Sequence, residues 1–138
     1  PAMIKPIMKS EFFLRLPSED AGPDDAATGQ DLLDTLHEHE RECVGLAANM
    51  IGVRKRIICV KDGNRTLLMY NPQILEQVNA YQTSEGCLSL TGERPCTRYR
   101  RIKVEYLDEN FVHRIKNFSG YTAEIIQHEI DHCNGVVV

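Results

Sequence analysis

The chain has 138 residues, 42% of them apolar and 26% charged, and a net charge of −4. That length allows one domain, 1–138, whose core needs no disulfide staples, in a composition ordinary for a globular protein. A negative balance excludes electrostatic recruitment to nucleic acid or anionic lipid, and no apolar run is long enough to span a bilayer.

In chain order, no basic segment followed by an apolar stretch opens the sequence, so no export signal is expected. Pro17, Ser18, Gly22 and Pro23 mark residues 17–25 as a loop, and Asp24 or Asp25 is expected to cap the next helix. That helix, with Leu32, Leu33 and Leu36 at helical spacing, runs to about His39. His37 and His39 sit among Glu38, Glu40 and Glu42 and read as a solvated helix end, where positive charge meets the dipole. The run from Val44 to Gly52 is small, apolar and too poor in charge for a surface helix; small side chains let another backbone approach closely.

Arg56–Lys61 and Thr66–Tyr70 are β-rich runs joined by the hairpin signal Asp62-Gly63-Asn64, and Asn71-Pro72 is expected to end the second. Arg98, Arg100, Arg101 and Lys103 read as the solvated face of a strand. Ile102–Leu107 and Phe111–Ile115 repeat the strand pattern around Asp108-Glu109-Asn110. A last helix, with Ser119 as N-cap and Thr122 nearby, extends to about Cys133 and stops at Asn134-Gly135, leaving Val136–Val138 as an extended stub. The fold class is α+β: antiparallel strands and hairpins around a C-terminal helix, plus an N-terminal helix.

His128-Glu129-Ile130-Asp131-His132 is an HExxH sequence within that last helix. Histidines at i and i+4 share one helix face, so both rings reach one ion, and the Glu between them is placed to accept a proton. A catalytic ion of this type takes three protein ligands and keeps one position open. After His132 the sequence offers no Glu or His, which points upstream, to the thiol in Glu85-Gly86-Cys87-Leu88-Ser89. A thiolate favours Fe, Zn or Ni over Mg or Ca. The five cysteines, 43, 59, 87, 96 and 133, are odd in number and irregularly spaced, as in a reducing, cytoplasmic setting; Cys59 reads as core.

Three segments, Gly45-Leu46-Ala47-Ala48, Glu85-Gly86-Cys87-Leu88-Ser89 and Gln127-His128-Glu129-Ile130-Asp131-His132, resemble the motifs of the peptide deformylase family, in that family's order. The resemblance covers nearly the whole chain. It implies hydrolysis of the N-formyl group from N-formylmethionyl peptides, such as ribosome-associated nascent chains in the bacterial cytoplasm, with release of formate. It also implies one divalent ion, natively Fe²⁺ with Ni²⁺ or Zn²⁺ as substitutes, on Cys87, His128 and His132. Glu129 would take a proton from the attacking water and pass it to the leaving amine. The Leu88 N–H would donate to the oxyanion. Gly45, with Cys43 and Val44 beside it, would hold the peptide as an added strand, and Arg94 would meet it near the entrance.

The sequence departs from the family pattern at four places. Met50 stands where the first motif has a Gln whose amide donates to the oxyanion, and Cys43 stands where it has a Gly. Leu90-Thr91-Gly92 replaces the usual Ile-Pro after the Cys motif, and only six residues follow His132. A thioether cannot donate, and one lost donor is worth about 3 kcal/mol; Asn49 is the one polar neighbour. Two other readings stay open at this point: a same-fold metallohydrolase for another N-acyl or amide substrate, and a metal-binding module with little catalysis.

Overall fold

The turn at Asp62-Gly63-Asn64 starts the sheet. In the computed structural model, which describes residues 3–138, Gly63 takes φ +62 and joins strands β2 (Ile57–Asp62) and β3 (Arg65–Gly86) in the expected hairpin. Three further strands complete one antiparallel sheet: β1 (Gly45–Ala47), β4 (Glu93–Leu107) and β5 (His113–Ser119), in the order β1-β2-β3-β4-β5. Three α-helices are described: a short α1 (Glu11–Leu14), α2 (Ala26–Glu38) and α3 (Gly120–Cys133). None is long and apolar enough to cross a membrane.

Ile57, Ile58, Cys59 and Val60 are all fully buried, which a strand achieves only when both its faces are covered. Both α2 and α3 pack on β2 and supply that cover. The core continues through Leu32 and Leu36 of α2, Met69 and Tyr70 of β3, Val104 of β4 and Ile126 of α3. Tying α3 to the sheet, the Gln127 amide imitates a neighbouring strand. Its oxygen accepts the Tyr99 N–H at 2.8 Å, and its nitrogen donates to the Tyr99 carbonyl at 2.8 Å.

The largest departure from expectation lies in β3, which does not end at Asn71-Pro72. Asn71 adopts φ +53, and the register slips between Tyr70 and Gln73 and again between Ile74 and Glu76. A bulge absorbs the proline, whose missing N–H would otherwise break the ladder, so the strand bends and continues. Pairing with β4 then runs from Tyr70↔Leu107 to Gly86↔Glu93. The Asn71 side chain fixes this bend: its oxygen accepts the Ala21 N–H at 2.7 Å and its nitrogen donates to the Ala21 carbonyl at 2.9 Å.

Smaller corrections concern the helix ends and the strand face. Asp25 stands at the N-cap of α2, but its carboxylate accepts from the Gly22 N–H behind it instead of capping the helix. Ser119 holds the N-cap position of α3 without a side-chain cap bond, and Thr122 donates to Asp62 at 3.0 Å. Val136–Val138 forms no strand; Val137 and Val138 are buried. His37 and His39 pair with Glu40 and Glu42 at the end of α2, as expected. Arg98 is no solvated residue: it is buried, 4% exposed.

Replacing Asn71 with Ala removes two hydrogen bonds and leaves a β-carbon at positive φ. Urea unfolding should show a loss of about 2–3 kcal/mol, and Asn71→Gly, which tolerates the dihedral, should lose less.

Candidate metal centre

One face of α3 and the far end of the β3–β4 hairpin meet across a cleft of about 500 Å³. Tyr121, Glu124, Ile125, His128 and Glu129, spaced three, four and one apart along α3, form one wall. Cys87 and Leu88, just past the end of β3, line it, as do Cys43, Val44, Gly45 and Met50 around β1. Ligand atoms of Cys87, His128 and His132 all lie within 4.8 Å of one another. The three residues singled out from the sequence as ligands are thus brought together.

Their electrostatics favour a cation among them. Burial alone would push the Cys87 thiol up, yet the imidazoles of His128 and His132 beside it outweigh that and bring the thiol down to about 5. Burial also opposes a charged His128, but bonds to Cys87 and Glu85 raise it to about 10. His132 is fully buried, and neither of its ring nitrogens has a hydrogen-bond partner in the protein. A buried imidazole with two unpartnered nitrogens is costly unless a ligand uses one of them. Thiolate and imidazoles at this spacing suit a borderline-soft divalent ion, so the residues present fit a metal.

Orientation of the set comes from residues the sequence reading passed over. The His128 Nδ1–H donates to Glu85 Oε1 at 2.7 Å, which fixes the tautomer and leaves Nε2 for a ligand. Despite burial, bonds from His128 and Arg98 hold the Glu85 carboxyl well below the usual carboxylate range, so it is an acceptor only. Arg98 donates through Nε and Nη2 to Glu85 and through Nη1 to Asp131 at 2.7 Å. In the sequence Glu85 stands out only as part of the Cys motif. Arg98 was masked by the exposed Arg100 and Arg101 around it, and its burial leaves no periodic trace in so basic a stretch.

Glu129 sits beside the ligands, 4% exposed, with Oε1 unpartnered. Burial pushes its carboxyl up and outweighs the pull of His128 and His132 in the other direction. Gly45 faces it so closely that an added Cβ would lie 3.0 Å from Glu129 Oε2 and 2.7 Å from Ile125 Cγ2. The close approach at this small residue is made to side chains, those of Glu129 and Ile125, not to another backbone. Among the described residues β1 pairs with β2 alone, which makes it the edge strand of the sheet.

Other candidates fall into place or away from it. Met50 is fully buried, and its sulfur accepts the Ala47 N–H at 3.4 Å, so it consumes a donor instead of supplying one. Asn49 turns from the cleft and donates to the His132 carbonyl at 2.9 Å. Cys43 donates to the Gly45 carbonyl at 3.0 Å, and burial with nearby Glu129 pushes its thiol up to about 12. Arg94 does not line the cleft; it pairs with Glu11 at 3.5 Å. The Leu88 carbonyl accepts from Lys9 Nζ at 2.7 Å, which holds that segment against the N-terminal loop.

Three comparisons bear on this arrangement. The family described as "Polypeptide deformylase" matches residues 7–138. A peptide deformylase of Clostridium beijerinckii is 50% identical over 136 residues, 99% of this chain and 100% of that protein. Among solved structures, the peptide deformylase of Thermotoga maritima superposes with a TM-score of 0.88 at 29% identity, covering 99% and 95% of the two chains. The actinonin-bound class I type b enzyme of Acinetobacter baumannii gives 0.87 at 30% identity, over 99% and 96%.

Replacing Arg98 with Met strands Glu85 and Asp131 without their cation. Chemical denaturation should register a loss of about 3–5 kcal/mol, and metal affinity measured against a chelator should fall about tenfold or more as His128 loses its fixed orientation.

Proposed function

This chain belongs to the polypeptide deformylase family, metal-dependent hydrolases that remove the formyl group from nascent peptides, and we propose how its own residues divide that work. The observation that carries the reading is the convergence of Cys87, His128 and His132 within 4.8 Å beside the buried carboxyl of Glu129. A divalent ion, Fe²⁺ by preference with Zn²⁺ or Ni²⁺ as substitutes, would be held by those three residues and would polarise the formyl oxygen and acidify water.

Hydrolysis adds water across the formyl C–N bond, giving formate and a free amine. Glu129 takes the proton as the water oxygen attacks the formyl carbon. It then delivers that proton to the nitrogen as the C–N bond breaks. One carboxyl thus serves both halves of the reaction, which its raised pKa favours. The backbone N–H of Leu88 donates to the oxygen on which negative charge develops. Met50, with a thioether at the cleft and no proton to give, leaves that oxygen one donor short.

Peptide binding rests on backbone more than on side chains. An N-formylmethionyl peptide laid along the open edge of β1 pairs with Gly45 as an added strand, which tolerates many sequences. Cys43 and Val44 flank that edge, and Arg94, held by Glu11, stands outside the cleft, where only residues farther along the peptide reach it. Nascent chains emerging from ribosomes in a bacterial cytoplasm are the natural source of such peptides.

Glu129→Ala should abolish formate release from formyl-Met-Ala peptides while metal content by atomic absorption stays at the wild-type level. Restoring the amide with Met50→Gln should raise kcat by about ten- to a hundredfold in the same assay. Equal rates for the two proteins would mean that another group already serves the oxyanion.

A further inference from the structure

Edge strand β5 reverses the alternation expected of a sheet with one covered face. Residues paired across neighbouring strands share a face. Arg114, opposite Tyr106, and Lys116, opposite Val104, therefore project on the side where β4 buries its apolar residues. Ile115, opposite Glu105, projects on the other side and is 52% exposed. Ordinary patterning would set the apolar residue inward and the charges outward.

A cavity of about 180 Å³ lies at these two cations, lined by Arg65 at the start of β3, by Tyr106, Arg114 and Lys116, and by the acids Asp108 and Glu109. Asp108 is already engaged. Its Oδ1 accepts the N–H groups of Asn110 at 2.9 Å and Val112 at 3.0 Å, and its Oδ2 accepts Arg114 Nε at 3.0 Å. The terminal nitrogens of Arg114 remain unused, and among the described residues neither Arg65 nor Lys116 has an acidic partner. Three cations against two carboxylates leave the cavity positive in a chain whose net charge is −4.

Tyr106 supplies an independent sign of a ligand. The residue is 5% exposed and packs in the core, yet its hydroxyl makes no hydrogen bond among the described residues. Burial pushes that hydroxyl up, so it stays a donor; Arg114 and Arg65 pull it down, and Asp108 and Glu109 push it up. The charged groups that act on the hydroxyl are thus the ones that line the cavity. An arginine fork pairs with two oxygens of a phosphate group, and an ammonium and a phenol can take the others.

We propose that the cavity between Arg65, Tyr106, Arg114 and Lys116 is a binding site for a phosphate group, either the free ion or the phosphate of a nucleotide. It shares no lining residue with the cleft at Cys87 and His128, so it stands independently of the metal chemistry there.

Isothermal titration calorimetry of the metal-loaded protein, with inorganic phosphate and with AMP in separate runs at one ionic strength, tests this. Saturable binding is expected. Tyr106→Phe keeps the ring and should weaken it about tenfold; Arg65→Met should weaken it about tenfold or more. Both variants should release formate at the wild-type rate. Equal affinities for the two probes assign the site to the free ion, and tighter AMP binding assigns it to a nucleotide. Absence of saturable binding in the wild type would overturn the proposal. So would an affinity unchanged in both variants, since the phosphate would then sit elsewhere, the metal included. Arg65 is exposed, so Arg65→Met keeps the test decisive should the Phe variant fail to fold.

Discussion

Everything at the cleft depends on one buried ion pair, Arg98 with Glu85. The two residues face each other near the far end of the β3–β4 hairpin, and Arg98 reaches across to Asp131 on α3 while Glu85 holds His128 on the same helix. Burying these charges is costly, and the cost is offset by the hydrogen bonds that Arg98 and His128 donate to Glu85 and that Arg98 donates to Asp131. In return the hairpin, which carries Cys87, is locked to the helix that carries the two histidines. Remove the cation and the carboxylates repel; remove Glu85 and His128 is free to rotate. Stability and ligand geometry are one and the same network here.

A second constraint is the closeness of β1 and α3. Gly45 makes that approach to Glu129 and Ile125 by having no side chain. Gln127 holds the helix to β4 by strand-like bonds on the other side of the sheet order. Between them, the helix is held so that His128 and Glu129 line the cleft while Ile126 is buried in the core.

Much of this was legible in the sequence, for identifiable reasons. Helices α2 and α3 declared themselves by apolar spacing, the β2–β3 turn by Asp-Gly-Asn, and the clustering of two buried histidines by their separation of one helical turn. What stayed hidden was tertiary. The continuation of β3 past Asn71-Pro72 depends on a bulge stabilised by Ala21, fifty residues away in sequence, and the polar run from Glu76 to Gly86 carries no alternation to announce a strand. Arg98 looked like its exposed neighbours because only the partners Glu85 and Asp131 distinguish it. A cap failed for a related reason: Asp25 found a better partner, the Gly22 N–H, than the helix end beside it.

The position of Cys87 at the end of a hairpin, with the histidines on a helix far along the chain, has a consequence for folding. An ion held by all three would act as a cross-link, closing a long loop that the unfolded chain must otherwise keep open. Because it binds the folded form, it would draw the equilibrium toward that form in proportion to its own availability. The abundance of folded protein would then track the free metal in its surroundings, so starvation for the ion would diminish the pool of enzyme as well as its activity.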